Sequence, residues 1–206
     1  IKYLTGAMQR NSDDLESRWL LNVAYMALGE YPAGVPAEWL VPPKVFESDE
    51  EFPRFVNIAA ELGVDTFSLS GGSIVDDFDD DGLHDIVVSS THPGEQMRYY
   101  HNDGDGRFSD RTERAGLLGL TGGLNMIQAD YDNDGDVDIL VLRGAWMDEV
   151  GRGYPNSLLR NDGQGNFRDV TFDAGLGEEH YPTQTAAWAD FDNDGIDDIF
   201  LQGSAN

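Results

Sequence analysis

The nine residues 130–138, Asp-Tyr-Asp-Asn-Asp-Gly-Asp-Val-Asp, follow a pattern, D-x-D-x-D-G-x-x-D, that also occurs at residues 77–85 and 190–198. Four carboxylates at fixed positions in so short a loop repel one another strongly once folding brings them together. A chain carrying three such loops is therefore expected to fold around hard, oxygen-seeking cations, about three ions at one per loop, with Ca²⁺ the expected ion. The alternative for a single loop of this kind is a solvated acidic turn without metal; three in register leave that alternative little room.

The spacing has a geometric reading. Carboxylates at positions 1, 3 and 5 project from a tight turn toward one centre, glycine at position 6 supplies torsions that a side chain resists, and position 7 presents its carbonyl. The aspartate at position 9 is expected to close the shell with both oxygens. An EF-hand loop starts in the same way but ends in glutamate at position 12, where this chain has Val88, Val141 and Leu201. The flanks differ too. Each loop is followed by a β-branched or apolar run, at 86–88, 139–142 and 199–201, and preceded by segments rich in small residues, at 67–75, 124–129 and 185–189. These predict β-hairpins rather than helix pairs.

The loops belong to a longer repeat. A Phe-led element ending in Gly-Leu or Gly-Val occurs at 55–64, 108–117 and 167–176, and Asn-Asp-Gly-x-Gly-x-Phe occurs at 102–108 and 161–167 as a hairpin turn feeding the Phe strand. Loops beginning at Asp77, Asp130 and Asp190 lie 53 and 60 residues apart. One repeat thus reads as strand, acidic loop, strand, connection, strand, turn, strand and corner. The predicted fold class is mainly β, a partial β-propeller of four-stranded antiparallel blades with a short α-helical N-terminal segment. A parallel β-helix with glycine-rich repeats has a much shorter period and ranks second.

On these motifs the chain resembles the FG-GAP or VCBS repeats of integrin-α-like propellers, and within them bacterial proteins of the cartilage-acidic-protein type with an ASPIC/UnbV module. The resemblance covers residues 53–206 and implies calcium ligands position by position. They are Asp77, Asp79, Asp81, the carbonyl of Leu83 and Asp85; Asp130, Asp132, Asp134, the carbonyl of Asp136 and Asp138; and Asp190, Asp192, Asp194, the carbonyl of Ile196 and Asp198. The Gly-Ala-Pro of integrin-type repeats is absent: Ser89-Ser90-Thr91, Arg143-Gly144-Ala145 and Gln202-Gly203-Ser204 stand there instead, which weakens an analogy to integrin ligand recognition. The ASPIC/UnbV module is not in this chain.

Residues 1–31 switch to helical period. Leu15, Trp19, Val23 and Met26 fall on one helix face, with Asn11, Ser12 or Asp13 as caps and Gly29 and Pro32 as terminators. This segment resembles the tail of a tetratricopeptide-type array. Residues 32–52 read as a proline-rich linker in which Trp39, Leu40 and Val41 form an anchor packed on a neighbouring surface. Residues 53–206 hold two full blades and the opening hairpin of a third. An open arc exposes strand edges, so the rest of the ring is expected from the same polypeptide or a neighbouring chain, and the element at 55–64 is expected to complete the last blade.

A formal charge of −26 argues against nucleic acid or an anionic membrane as partners, and three Ca²⁺ ions would still leave −20; no apolar run suggests membrane insertion. No cysteine is present, which excludes disulfides and thiol catalysis. Low-affinity calcium loops fill where the ion is plentiful, so an extracellular, cell-surface or periplasmic location is expected. No catalytic constellation emerges. The loop spacing commits the carboxylates to metal; His84, His92, His101 and His180 are scattered, with only a His92–His101 approach across one hairpin weighed and set aside; Gly71-Gly72 and Gly122-Gly123 read as strand glycines in close packing. The expected function is non-enzymatic: an exported calcium-binding scaffold or adhesion module, with a protein or glycan partner at the cell surface. The alternatives are a lectin-like propeller reading sugars through Trp146, Tyr154 or Tyr181, and an accessory propeller of a polysaccharide-active enzyme.

Overall fold

The computed structural model describes residues 1–47, 53, 55–143, 154–178 and 183–203, and the chain divides into two compact units, 1–56 and 57–206. In the first unit, α1 (Lys2–Arg10) and α2 (Leu15–Ala27) pack around Met8, Leu21 and Trp39. Asp14, and not the three predicted candidates, caps α2: its carboxylate accepts the Ser17 N–H at 3.1 Å and the Ser17 hydroxyl at 2.7 Å.

The buried face of α2 also differs from the predicted one. Leu15, Trp19, Val23 and Met26 are exposed, whereas Leu21 and Asn22 are fully buried. The reason lies in Asn22, whose amide pins the chain returning beneath the helix. It donates to the carbonyls of Trp39 (2.9 Å) and Arg18 (2.8 Å) and accepts from the Val41 N–H at 2.9 Å. Arg18 adds bonds to the carbonyls of Trp39 and Leu40. A buried amide so fully satisfied fixes which face turns inward. Residues 32–47 of the segment read as a proline-rich linker therefore fold back through two turns, with a 3-10 turn at Pro43–Phe46, and Trp39 is an anchor within its own unit.

The second unit is built of hairpins. Strands β1 (Ser70–Asp76), β2 (Asp85–Ser90), β3 (Arg98–Asn102) and β4 (Phe108–Asp110) form one antiparallel sheet in sequence order. Strands β5 (Asn125–Ala129), β6 (Asp138–Leu142), β7 (Ser157–Asn161) and β8 (Phe167–Asp169) form a second, and β9 (Thr183–Ala189) pairs with β10 (Asp198–Gly203). Every acidic nonapeptide lies at the turn of a first hairpin, and each Asn-Asp-Gly turn joins a third strand to a fourth, as the repeat predicted.

Strand β6 shows how the layers stack. It is buried along its whole length, so both faces need apolar side chains. Ile139 and Val141 pack toward Ile74, Val87, Tyr99 and Phe167, whereas Leu140 and Leu142 join Leu158, Val170 and the partly buried Ala186, Trp188 and Ile199 of the β9–β10 hairpin. Period-2 alternation thus sends one set of residues to the preceding layer and the other to the following one.

Main-chain contacts reinforce this stacking at the corners. Gly116, at φ +76°, lies so close to the next repeat that an added Cβ would stand 2.8 Å from the Phe167 carbonyl oxygen, while the Phe167 N–H donates to the Ala115 carbonyl at 2.8 Å. Gly63 meets Phe108 at the same 2.8 Å separation. Gly71-Gly72 sit at a bulge in β1 and lie against Gly123 and Met126, as close packing predicted; Gly122-Gly123, however, lie just outside any strand. The first Phe-led element departs further. Its residues 55–58 form no strand, and α3 (Ala59–Leu62) follows with Gly63 as a left-handed cap. The text of the repeat is present there without the sheet geometry.

Candidate metal centres

The three acidic loops share one hydrogen-bonded frame. In each, the first aspartate accepts two main-chain N–H groups with its two oxygens: Asp77 from Asp81 and Gly82, Asp130 from Asp134 and Gly135, Asp190 from Asp194 and Gly195, all at 2.9–3.1 Å. The fifth-position carboxylate then accepts from position 7, between Asp81 and Leu83, Asp134 and Asp136, and Asp194 and Ile196. Glycine at position 6 has φ between 86° and 98° in all three, as its predicted role requires, and position 4 is also left-handed, at Asp80, Asn133 and Asn193.

The ninth-position aspartate serves the frame as well. Asp85 is fully buried and accepts from the Tyr99 hydroxyl at 2.6 Å and the Asn102 N–H at 2.7 Å. Asp138 accepts from the Asn161 N–H at 2.8 Å and the Tyr131 N–H at 3.3 Å, and Asp198 from the Phe191 N–H at 3.0 Å. Sequence reasoning gave this residue both oxygens for an ion; here Asp85 and Asp138 tie their loops to the third strand, and Asp198 closes its loop on itself.

Ligand atoms converge within 4.8 Å of one another in three groups: Asp79, Asp81 and His101; Asp130, Asp132 and Asp138; and Asp190, Asp192 and Asp194. The residues present fit a cation. Asp79 Oδ1 and Asp132 Oδ1 are buried without a hydrogen-bond partner, a costly arrangement that a positive ion would relieve. Electrostatics agree. Burial, with neighbouring carboxylates, raises the pKa of Asp79 and of Asp132 above the ordinary carboxylate value, and burial pushes that of Asp138 up to about 6.

Two side chains of third strands reach these centres from outside the nonapeptides, with Arg111 more distant at 3.7 Å from Asp79 Oδ2. His101 Nδ1 lies 3.1 Å from Asp79 Oδ2 and 3.3 Å from Asp85 Oδ1. In the second sheet the matching strand position holds Arg160, whose Nε lies 2.9 Å from Asp132 and whose terminal nitrogen lies 2.7 Å from Asp134, holding the Asp134 pKa below its usual value. Sequence reasoning missed both. The available signal was that each immediately precedes the Asn of an Asn-Asp-Gly turn. His101 is turned to the loop, while His92 accepts the Gly94 N–H within its own connection. Of the aromatics considered for sugar binding, Tyr154 is half-exposed, and Trp146 and Tyr181 lie outside the described residues, as does His180.

Stacked antiparallel hairpin sheets with an acidic loop at a fixed corner define a repeat β protein. Residues 77–141 and 146–201, more than half of the chain, match the FG-GAP-like repeat family, and the chain belongs to it. It is similar to cartilage acidic protein 1 of Xenopus tropicalis, 28% identical over 153 residues that make up 72% of this chain and 22% of that protein. Against cartilage acidic protein 1 of Homo sapiens the identity is 29% over 153 residues, with 72% of this chain and 21% of that protein covered. The chain thus spans about a fifth of the length of the curated relatives it matches. Among the described residues no helix is long and apolar enough to cross a membrane.

Proposed function

We propose that this chain is the calcium-binding part of a β-propeller that works outside the cell as a structural, adhesion or protein-interaction scaffold. The observation that carries the reading is the threefold recurrence of one loop frame, with buried carboxylate oxygens left unpartnered in two of the loops. Asp77, Asp79, Asp81 and Asp85, with their counterparts in the other loops, would hold the ions. A bound Ca²⁺ supplies the positive charge that these turns lack, so mutually repelling carboxylates become fixed corners. The layered stacking of β6 between its neighbours, and the repeated glycine corners, support closure of such sheets into a ring whose other blades come from the same polypeptide or a neighbouring one. A scaffold role, rather than catalysis, suits acidic groups engaged by main-chain N–H donors and directed at ions.

Isothermal titration of the chelator-treated chain with CaCl₂ tests this reading. Saturable binding, together with a rise in the unfolding midpoint, is the expected result. A thermal midpoint unchanged between excess chelator and millimolar calcium would rule the mechanism out.

A further inference from the structure

The first acidic loop differs chemically from the other two, and we infer that it is a mixed nitrogen–oxygen site for a divalent transition-metal ion of the zinc type, with His101 as the nitrogen ligand. The inference rests on the metal-binding reading of the loops and adds an ion selectivity that this reading does not contain.

His101 sits on β3 with only 6% of its surface exposed, and its Nδ1 makes no hydrogen bond. A protonated imidazole serving only as a counter-ion would direct an N–H at a carboxylate. Here Nδ1 approaches both Asp79 and Asp85 at 3.1 and 3.3 Å without doing so, and Asp79 Oδ1 is unpartnered as well. Separations near 3 Å are those expected between adjacent ligands around one ion with metal–ligand distances of roughly 2.1 Å. His101 Nδ1, Asp79 and Asp81 all present atoms within 4.8 Å of one another.

Donor chemistry sets the class of ion. Calcium prefers an all-oxygen shell, whereas imidazole raises affinity for zinc and its neighbours. At the equivalent position of the second sheet, Arg160 offers donors only and can bind no metal. The third centre consists of exposed aspartates alone. One loop in three is therefore built for a softer ion.

The test uses the whole chain and Zn²⁺ itself. Imidazole ¹⁵N NMR of the unaltered protein is expected to show the His101 Nδ1 resonance moving to its metal-bound position with one equivalent of Zn²⁺. Competition with a chromophoric chelator is expected to show one strong zinc site, weakened about tenfold or more in His101→Gln, as loss of an imidazole ligand predicts. A parallel Ca²⁺ titration of the variant reports whether the other loops remain folded. An Nδ1 resonance indifferent to Zn²⁺, or equal zinc affinity in the two proteins, overturns the inference. Calcium-indifferent loops alongside a zinc-responsive His101 would sink the calcium reading and leave this one standing.

Discussion

The loops at 77–85 and 130–138 share a sequence pattern, a hydrogen-bonded frame and a place at the turn of a first hairpin, yet their centres differ. In the first, a buried imidazole faces Asp79 and Asp85, and buried atoms on both sides are left unpartnered. In the second, a guanidinium that is 47% exposed bridges Asp132 and Asp134 from outside, so part of the negative charge is already answered by the chain. The nonapeptide fixes where carboxylates stand; the strand across the sheet decides what meets them.

Chelation should have the largest effect. Each filled site adds up to about 2.7 kcal/mol at a hundredfold excess of ion over its dissociation constant, so removal of the bound ions is expected to lower the unfolding midpoint markedly. Amide exchange should then quicken more at 81–83 than at 134–136, because Arg160 continues to hold the second loop at 2.7–2.9 Å whereas Arg111 comes no nearer than 3.7 Å to Asp79; equal quickening would erase the contrast. Next comes the ninth position. Asp85→Ala strands a buried phenol and a main-chain N–H, for an expected loss of about 2–5 kcal/mol in urea unfolding, against about 1–3 kcal/mol for Asp138→Ala. Both aspartates are buried, so a reversed order would mean that the Tyr99 hydroxyl is not what separates the loops.

Gly116→Ala places a Cβ against the Phe167 carbonyl at a left-handed φ and should cost roughly 2–4 kcal/mol, whereas Gly175→Ala, with φ +75° but nothing within 4 Å, should cost about 1 kcal/mol. Differential calorimetry of the two variants separates torsion from contact. The smallest effect is expected from Arg160→Gln. With the internal cation removed, calcium affinity at the second loop should rise by on the order of a few-fold while the first loop is unmoved. A fall in affinity would show that the guanidinium organises the loop rather than competing for it.

Much of this architecture was readable in advance. Hairpin positions follow from β-branched runs next to loops, and the stacking of repeats from the period separating Asp77, Asp130 and Asp190. His101 and Arg160 were not readable, because their proximity to the loops depends on sheet register: β3 pairs with β2 through Ile86 and Tyr100, which brings the neighbouring side chain over a loop some twenty positions earlier. Helix α2 misled for a different reason. Periodicity weighs apolar residues, but the inward face was set by Asn22, whose value lies in the three main-chain groups it satisfies. At 55–58 the Phe-led text was right and the strand absent, since a strand needs a partner that local residues do not supply.

The seam between repeats at Gly116 has a consequence for how such chains can lengthen. Its hydrogen bond runs from the Phe167 amide to the Ala115 carbonyl, and its close approach is to a carbonyl oxygen, so apart from the one glycine the junction is written in main-chain groups. A duplicated segment would bring a ready-made connector at each end and would not have to re-evolve one. The specificity that protects a chain from misjoining then has to come from the apolar layers, which are free to diverge copy by copy while the junction stays interchangeable.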